Sequence, residues 1–189
     1  MSCTIWRNVK MRIACQGPAG SYGYIAARTH YPAAKLIPFA NPFGVVRAVV
    51  RGTVDLGLVP IENSIVGRVV DGERALADAD VITVNEIELP VRHCLLALPG
   101  ADPQRLRSVE SHPAALAQCA RYIVSRGLAA RRAASTAGAA KAISTDRNFS
   151  CAAIAGEEAA ELYGLTVLDR DIADVPDNRT RFVVIAKAP

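Results

Sequence analysis

Aromatic side chains are scarce, 5% of the 189 residues, and lysine is scarcer still, at 4 against 18 arginines. The net charge of +4 and a pI near 8.9 invite a nucleic-acid reading. The arginines are scattered, however, with Arg131-Arg132 the densest point, and too few rings stand beside them to build a stacking platform. Nucleic acid is therefore not an expected partner; scattered arginines read as a solvated face or as counter-charges for small anions. No apolar run approaches the roughly 20 residues that cross a bilayer, so no membrane partner is expected either. The opening MSCTIWRNVK carries charge but no apolar stretch of signal-peptide length, which argues against secretion. Five cysteines (Cys3, Cys15, Cys94, Cys119, Cys151) lie far apart, odd in number and without a C-x-x-C pair. That fits neither a disulfide framework nor a zinc pattern and reads as reduced thiols in a cytoplasmic protein. Also missing are a G-x-S-x-G elbow, a P-loop, a G-x-G-x-x-G after a strand and H-E-x-x-H, and His30, His93 and His112 have no metal-ligand spacing. Neither a cofactor nor a metal is expected. His93, inside an apolar strand, reads as a hydrogen-bonded core residue rather than a base.

What is present is a chain with 51% hydrophobic and 21% charged residues, long enough to bury a core as one domain or two small lobes. Short apolar runs alternate with alanine-rich helical stretches, the pattern of an α/β protein. Strands are expected at Met11–Gln16, Leu36–Phe39, Asp55–Ile61, Val81–Leu89, Arg92–Leu98, Ser108–Glu110, Arg132–Ala134, Cys151–Ile154, Thr166–Ile172 and Phe182–Ala186. Helices are expected from Ser21 to His30, from the Asn41 cap to Arg51, over Gly72–Ala79, from Pro113 to Ser125, from Thr136 to Ile143 and over Glu157–Tyr163, the last ended by Gly164. Two such sets joined near Leu89–Arg92 suggest two lobes with a ligand crevice between them.

Four strand-to-helix loops bring glycine or a small polar side chain to a helix start: Gly17–Ser21, Asn63-Ser64 with Gly67, Ser111-His112-Pro113, and Ser135-Thr136. Each is either an ordinary N-cap or part of a site that uses free helix N–H groups to hold carboxylate or phosphate. Several at the same strand ends favour a small-anion site. A polar cluster, Asp177 to Phe182, precedes the last apolar run. Within it Arg181 is either a guanidinium fork for a carboxylate or half of a strand-edge ion pair. Glu62 is either a crevice carboxylate or a solvated loop residue.

These segments carry a resemblance. Ile13–Tyr22 (IACQGPAGSY), Val59–Gly67 (VPIENSIVG), Leu89–Leu96 (LPVRHCLL), Ser111–Cys119 (SHPAALAQC), Ser135–Lys141 (STAGAAK), Ala159–Leu165 (AAELYGL) and Asn178–Phe182 (NRTRF) occur in the order found in the catalytic domain of prephenate dehydratases. The chain resembles that family from about Met11 to Ala186. The resemblance implies an α/β, two-lobed, type II periplasmic-binding-protein-like fold with the active site in the inter-lobe crevice. Lobe 1 would span about 11–89 plus 173–189 and lobe 2 about 90–172, after an N-terminal extension over 1–10. The implied reaction is the cofactor-independent dehydration with decarboxylation of prephenate to phenylpyruvate, in aromatic amino-acid (phenylalanine) biosynthesis. Arogenate or a substituted analogue in a specialised pathway is the variant substrate. Thr180 would be the catalytic hydroxyl. Asn63, Ser64, Ser111, Gln118, Thr136 and Phe182 would line a small dicarboxylate substrate, with Arg181 on its carboxylate. A homodimer is the default assembly.

Two departures from the family pattern qualify this. The chain ends about where family members continue into a phenylalanine-sensing domain, and no chorismate mutase segment precedes it, so feedback inhibition through that domain is not expected. The stretch Arg68–Arg74 replaces a segment that commonly carries His, Tyr and Asp. If it faces the ligand, a prephenate analogue becomes the substrate; if it faces solvent, the change means little. Two other readings stay open, a prephenate decarboxylase that does not dehydrate and a non-catalytic carboxylate-binding protein. Loss of Thr180 would have favoured the former, and Thr180 is present.

Overall fold

In the computed structural model, which describes residues 11–189, the strands form two sheets whose central members each carry a buried run. The elements in chain order are β1 (Arg12–Gln16), α1 (Tyr22–His30), β2 (Lys35–Phe39), α2 (Pro42–Val50), β3 (Leu56–Asn63), β4 (Gly67–Arg68), α3 (Val70–Leu76), β5 (Val81–Pro90), β6 (Cys94–Ala97), β7 (Ser108–Ser111), α4 (Pro113–Gln118), α5 (Ala120–Ser125), β8 (Ala129–Arg132), α6 (Thr136–Asp146), β9 (Cys151–Ala155), α7 (Glu157–Tyr163), β10 (Thr166–Asp169) and β11 (Arg179–Lys187). One sheet runs β2-β1-β3-β11-β5, with β4 added beside β3; the other runs β10-β6-β9-β7-β8. Both are mixed: β1 pairs parallel with β2 and β3, whereas β11 lies antiparallel between β3 and β5. The expected extension at residues 1–10 lies outside the described residues.

Central strands are covered on both faces, so successive residues join different cores. In β9, Cys151, Ala153 and Ala155 pack with α6 and α7, while Ala152 and Ile154 pack with Leu116, Cys119 and Ile123. In β11, Phe182 and Val184 join Ile13, Cys15 and Ile25, while Val183 and Ile185 join Val45, Val49 and Val59. The four described cysteines, Cys15, Cys94, Cys119 and Cys151, are free thiols buried in these cores. Helix starts follow the sequence: Asn41 Oδ1 accepts from Gly44 N–H at 3.0 Å and Ser135 Oγ from Gly138 N–H at 2.9 Å. Among the described residues no helix is long and apolar enough to cross a membrane.

Several boundaries move. The strand expected at Arg132–Ala134 is β8 at Ala129–Arg132, an edge strand exposed at every position, with no buried alternation to locate it. The single helix expected from Pro113 to Ser125 breaks at Cys119 (φ −116, ψ 22) without a Gly or Pro to announce it. Arg179–Arg181, expected ahead of the last strand, are its first three residues. That shift matters most, because inside a strand neighbouring side chains face opposite ways.

The chain crosses between the sheets twice, at residues 91–93 and again at 170–178. Backbone bonds tie the crossings together: Val91 N–H to Asn178 C=O at 2.7 Å and Ile172 N–H to His93 C=O at 3.0 Å. Behind β3, α3 lies so close that a Cβ on Gly72 would stand 1.9 Å from the Pro60 carbonyl oxygen. Gly72→Ala must therefore displace backbone. We expect a loss at or above the upper end of the roughly 1–3 kcal/mol typical of overpacking, measured by chemical denaturation.

Candidate active site

The two sheets face each other across a cavity of about 310 Å³. From the first sheet come Gln16 at the end of β1, Asn63 at the end of β3, and Thr180 and Phe182 from one face of β11. From the second come Gln118 at the end of α4 and Ser135-Thr136 at the start of α6. The crossings supply His93 and Asn178, and the amino end of α1 supplies Ser21 and Tyr22.

Five residues expected at the site thus line it: Asn63, Gln118, Thr136, Thr180 and Phe182. Three do not. Arg181 sits on the opposite face of β11, 2.7 Å from Glu62 and 3.2 Å from Glu86. The guanidinium fork for substrate is corrected to a strand-edge ion pair, and Glu62 is its partner rather than a crevice carboxylate. Ser111 is fully buried, its Oγ–H donating to the Ile154 carbonyl at 2.6 Å. Ser64 straps β11 to β3: its N–H donates to the Arg179 C=O at 2.9 Å and its Oγ accepts from the Arg179 N–H at 2.9 Å. Since Arg181 is half-buried on the face of β11 away from the cavity, Arg181→Gln should leave kcat/KM within a few fold of wild type, checked by steady-state kinetics on the reaction proposed below.

The polar side chains form one connected chain. Asn63 Oδ1 accepts from the backbone N–H groups of Ile65 (3.1 Å) and Val66 (3.0 Å), which leaves its Nδ2 as the donor to Thr180 Oγ1 at 2.9 Å and to Asn178 Oδ1 at 2.7 Å. Asn178 Nδ2 donates to Gln118 Oε1 at 3.0 Å, which also meets His93 Nε2 at 2.7 Å. His93 Nδ1 lies 3.0 Å from the Tyr22 hydroxyl. Thr180 Oγ1 is therefore an acceptor toward the protein, and among the described residues its own O–H has the cavity as its open direction.

Among the described residues lining the cavity there is no Asp, Glu, Lys or Arg. Positive potential comes instead from the amino ends of α1 and α6, whose first N–H groups have no partner within the helix. The hydroxyls of Ser21 and Ser135 cap these helices, so capping and presentation of backbone N–H groups occur together. Of the Arg68–Arg74 stretch only Val69 lines the cavity, together with Val66 just before it; Arg68 turns outward to Glu73 at 2.6 Å.

Burial pushes the Tyr22 hydroxyl well above its usual value and pulls His93 below 6.5, against a smaller upward pull from its bond to Gln118. The unfolded chain thus binds a proton at His93 before the folded one does. Its contribution is fully present above pH 6.5 and is lost as pH falls through the folded value, with a slope of up to about 1.4 kcal/mol per pH unit. Melting temperatures across mildly acidic pH should fall less steeply in His93→Gln than in wild type.

Tyr22, His93 and Asn178 also line the cavity, beyond the residues expected there. The signal existed for two of them: Asn178 opens the N-R-T-R-F cluster and Tyr22 follows the Gly17–Ser21 loop. For His93 the expectation of a hydrogen-bonded interior residue agrees with its 2% exposure, and the cavity wall it also forms was not visible.

Comparison with known proteins agrees with this geometry. Residues 13–189 match the family described as prephenate dehydratase. Arogenate dehydratase/prephenate dehydratase 2 of Arabidopsis thaliana is 41% identical over 95% of this chain and 47% of its own length. The prephenate dehydratase of Arthrobacter aurescens, solved with L-Phe, superposes with a TM-score of 0.87 at 29% identity, over 95% of this chain and 61% of that one. GqqA, described as a novel type of quorum quenching acylase, superposes with a TM-score of 0.86 at 35% identity, over 94% of this chain and 64% of that one. The chain spans about half the length of the curated relatives it matches. With five of the expected motif residues gathered at one cavity and the match running over residues 13–189, the chain belongs to the prephenate dehydratase family.

Proposed function

We propose that the chain converts prephenate to phenylpyruvate, with Thr180 as the catalytic hydroxyl and Asn63, Gln118, Thr136 and Phe182 around the substrate. The observation that carries this reading is the direction of the Thr180 hydroxyl, which accepts from Asn63 and so donates toward the cavity. In the reaction the bond from the ring to its carboxylate breaks and carbon dioxide leaves. That electron pair moves through the ring to aromatise it and expels the para hydroxyl with its bonding electrons. A hydrogen bond from Thr180 stabilises the developing hydroxide, and one proton taken up from solvent completes the water. Threonine is too weak an acid to transfer its proton outright at neutral pH, so the hydroxyl serves as an oriented donor. The helix ends of α1 and α6 and the Gln118 amide serve the two carboxylates, and Phe182, only 2% exposed, forms part of the apolar floor.

Aromatisation supplies the driving force, so the protein's task is alignment and charge stabilisation. The absence of a carboxylate among the described lining residues favours the keto acid over arogenate, whose ammonium would find no counter-charge. Acyl transfer asks for a nucleophile beside a base; Thr180 has beside it the Asn63 amide, a donor that takes no proton. A homodimer remains part of the reading: among the described residues β5 pairs on one side only and exposes Ile82 and Val84, and light scattering measures the assembly.

The test is incubation with prephenate and, separately, arogenate, with products identified by mass and ultraviolet spectrum. Phenylpyruvate, formed with a higher kcat/KM than phenylalanine from arogenate, is the expected result. A dihydro product that keeps its hydroxyl would assign the decarboxylase chemistry, and binding without turnover would assign a carboxylate-binding protein.

A further inference from the structure

Gln118 belongs to the wall of the cavity, but a primary amide is useful there only if its orientation is fixed. Turned one way it offers two N–H donors to a carboxylate; turned the other it presents an oxygen that repels one. Nothing in the shape of the side chain distinguishes the two, because the amide oxygen and nitrogen are nearly equal in size. Hydrogen-bond polarity must decide.

That polarity can be followed from the backbone. Two main-chain N–H groups, of Ile65 and Val66, point at one end of the Asn63 amide, at 3.1 and 3.0 Å, and a main-chain N–H can only donate. That end is Oδ1, and the other end is Nδ2. Asn178 meets Nδ2 at 2.7 Å and must present its oxygen, which turns its own Nδ2 toward Gln118 at 3.0 Å. Gln118 must present Oε1, so the ring nitrogen of His93 that lies 2.7 Å from this oxygen carries a hydrogen. Every link allows one direction, and the last one names a tautomer. Both acceptor positions of Gln118 Oε1 are then occupied, by Asn178 and by His93. Its Nε2 is left with no partner among the described residues, on a side chain that lines the cavity.

We propose that His93, with its proton on Nε2, is the positioning residue that holds Gln118 with its oxygen turned inward and its amide hydrogens turned to the substrate. His93 is well placed to do so. It lies on the first crossing between the sheets and is 2% exposed, and its ring stands edge-on to Tyr22 with centroids 5.8 Å apart. The Tyr22 hydroxyl lies 3.0 Å from Nδ1 and 2.8 Å from the Arg92 carbonyl. The single hydroxyl hydrogen of Tyr22 goes to the Arg92 carbonyl or is shared between it and a bare Nδ1, so the tautomer is fixed from the Gln118 side, and the pull of burial on His93 toward the neutral form leaves one ring nitrogen protonated. Tyr22 reaches the ring from α1 in one lobe and Gln118 from α4 in the other. His93 thereby links the position of the two lobes to the orientation of one substrate donor.

This inference rests on the reading of the cavity as a substrate site, but its first test does not. Long-range proton–nitrogen spectra of the wild-type chain labelled in histidine should show His93 protonated on Nε2 and bare on Nδ1 at neutral pH. Protonation on Nδ1 alone overturns the proposal, whatever the enzyme turns over. The second test uses two replacements of nearly equal size. Glutamine places an amide N–H where Nε2 stands, whereas asparagine places one where Nδ1 stands and cannot reach Gln118.

His93→Gln should keep kcat/KM for prephenate within a few fold, while His93→Asn should lower it by roughly tenfold to a hundredfold, the loss expected when an oriented donor to a charged group is released. In a Gln118→Ala background His93→Asn should cause little further loss, because its effect travels through Gln118. Equal activity of the two His93 variants, or losses that add in the double variant, overturn the proposal. If prephenate is not a substrate, the side-chain amide resonances of Gln118 carry the same comparison: shifted in His93→Asn and preserved in His93→Gln if the proposal holds, equally affected if it fails.

Discussion

Thr180→Val is expected to lower kcat for prephenate by about 10²–10³-fold, the cost typical of removing one oriented donor from a developing oxyanion. Thr180→Ala should match it. Thr180→Ser should retain most activity, since the hydroxyl remains and only the methyl that restricts its rotation is lost. The valine variant is the informative one, because it keeps the shape of the side chain and removes only the hydroxyl. The loss should fall on kcat with KM little changed. Folding should survive: Asn63 Nδ2 keeps Asn178 Oδ1 at 2.7 Å and the Arg179 carbonyl at 3.1 Å as acceptors. A stability change of about 1 kcal/mol or less is expected from denaturant titration. Equal turnover by the valine, alanine and serine variants would remove Thr180 from the mechanism.

Asn63→Asp is expected to be as damaging, for a different reason. The replacement is isosteric, and one carboxylate oxygen can still accept from the N–H groups of Ile65 and Val66. The other faces Thr180 Oγ1 and Asn178 Oδ1 with no hydrogen to give. The Thr180 hydroxyl then turns to donate to the carboxylate and away from the cavity, and the two facing oxygens at the Asn178 contact repel. We expect a loss of about 10²–10³-fold in kcat. A stability cost of roughly 1–3 kcal/mol is expected from the frustrated contact. Residual activity should rise as pH falls toward the carboxylate range, where the introduced carboxyl regains a proton to donate. Turnover near the wild-type level, with no such pH dependence, would show that Asn63 does not set the direction of the Thr180 hydroxyl.

Both predictions depend on side-chain direction, which was the least legible property of the chain. Ser135 and Asn41 read as N-caps because a small polar side chain before an apolar run has one good use, and both cap as expected. Gly164 read as a helix end, and it adopts φ +64, where a side chain would be strained. These are local effects, decided within four residues. The edge strand β8 lies three residues before its expected start because exposure on every side leaves no periodic signal, and the break at Cys119 has no local cause to announce it.

Arg181 shows the limit at the site itself. The N-R-T-R-F cluster marked a functional segment, but not which of its side chains face the ligand. Once Arg179–Phe182 lies inside β11, the two-residue period of a strand sends Thr180 and Phe182 to the cavity and Arg179 and Arg181 to glutamates on the other face. Ser64 and Ser111 do not line the cavity, for a related reason. Their hydroxyls meet backbone groups from strands distant in sequence, Arg179 and Ile154, which no local pattern reveals.

Composition, apolar periodicity and caps therefore sufficed for the α/β class, the strand–helix order and the loops that gather at the crevice, since each depends on interactions between near neighbours. Which face of β11 meets the substrate, which serines are spent inside the structure, and how Asn63, Asn178, Gln118 and His93 align into one polar chain were settled by tertiary packing. Those outcomes depend on strand register and on hydrogen-bond directions set across gaps of 25 to 115 residues, beyond the reach of any local signal.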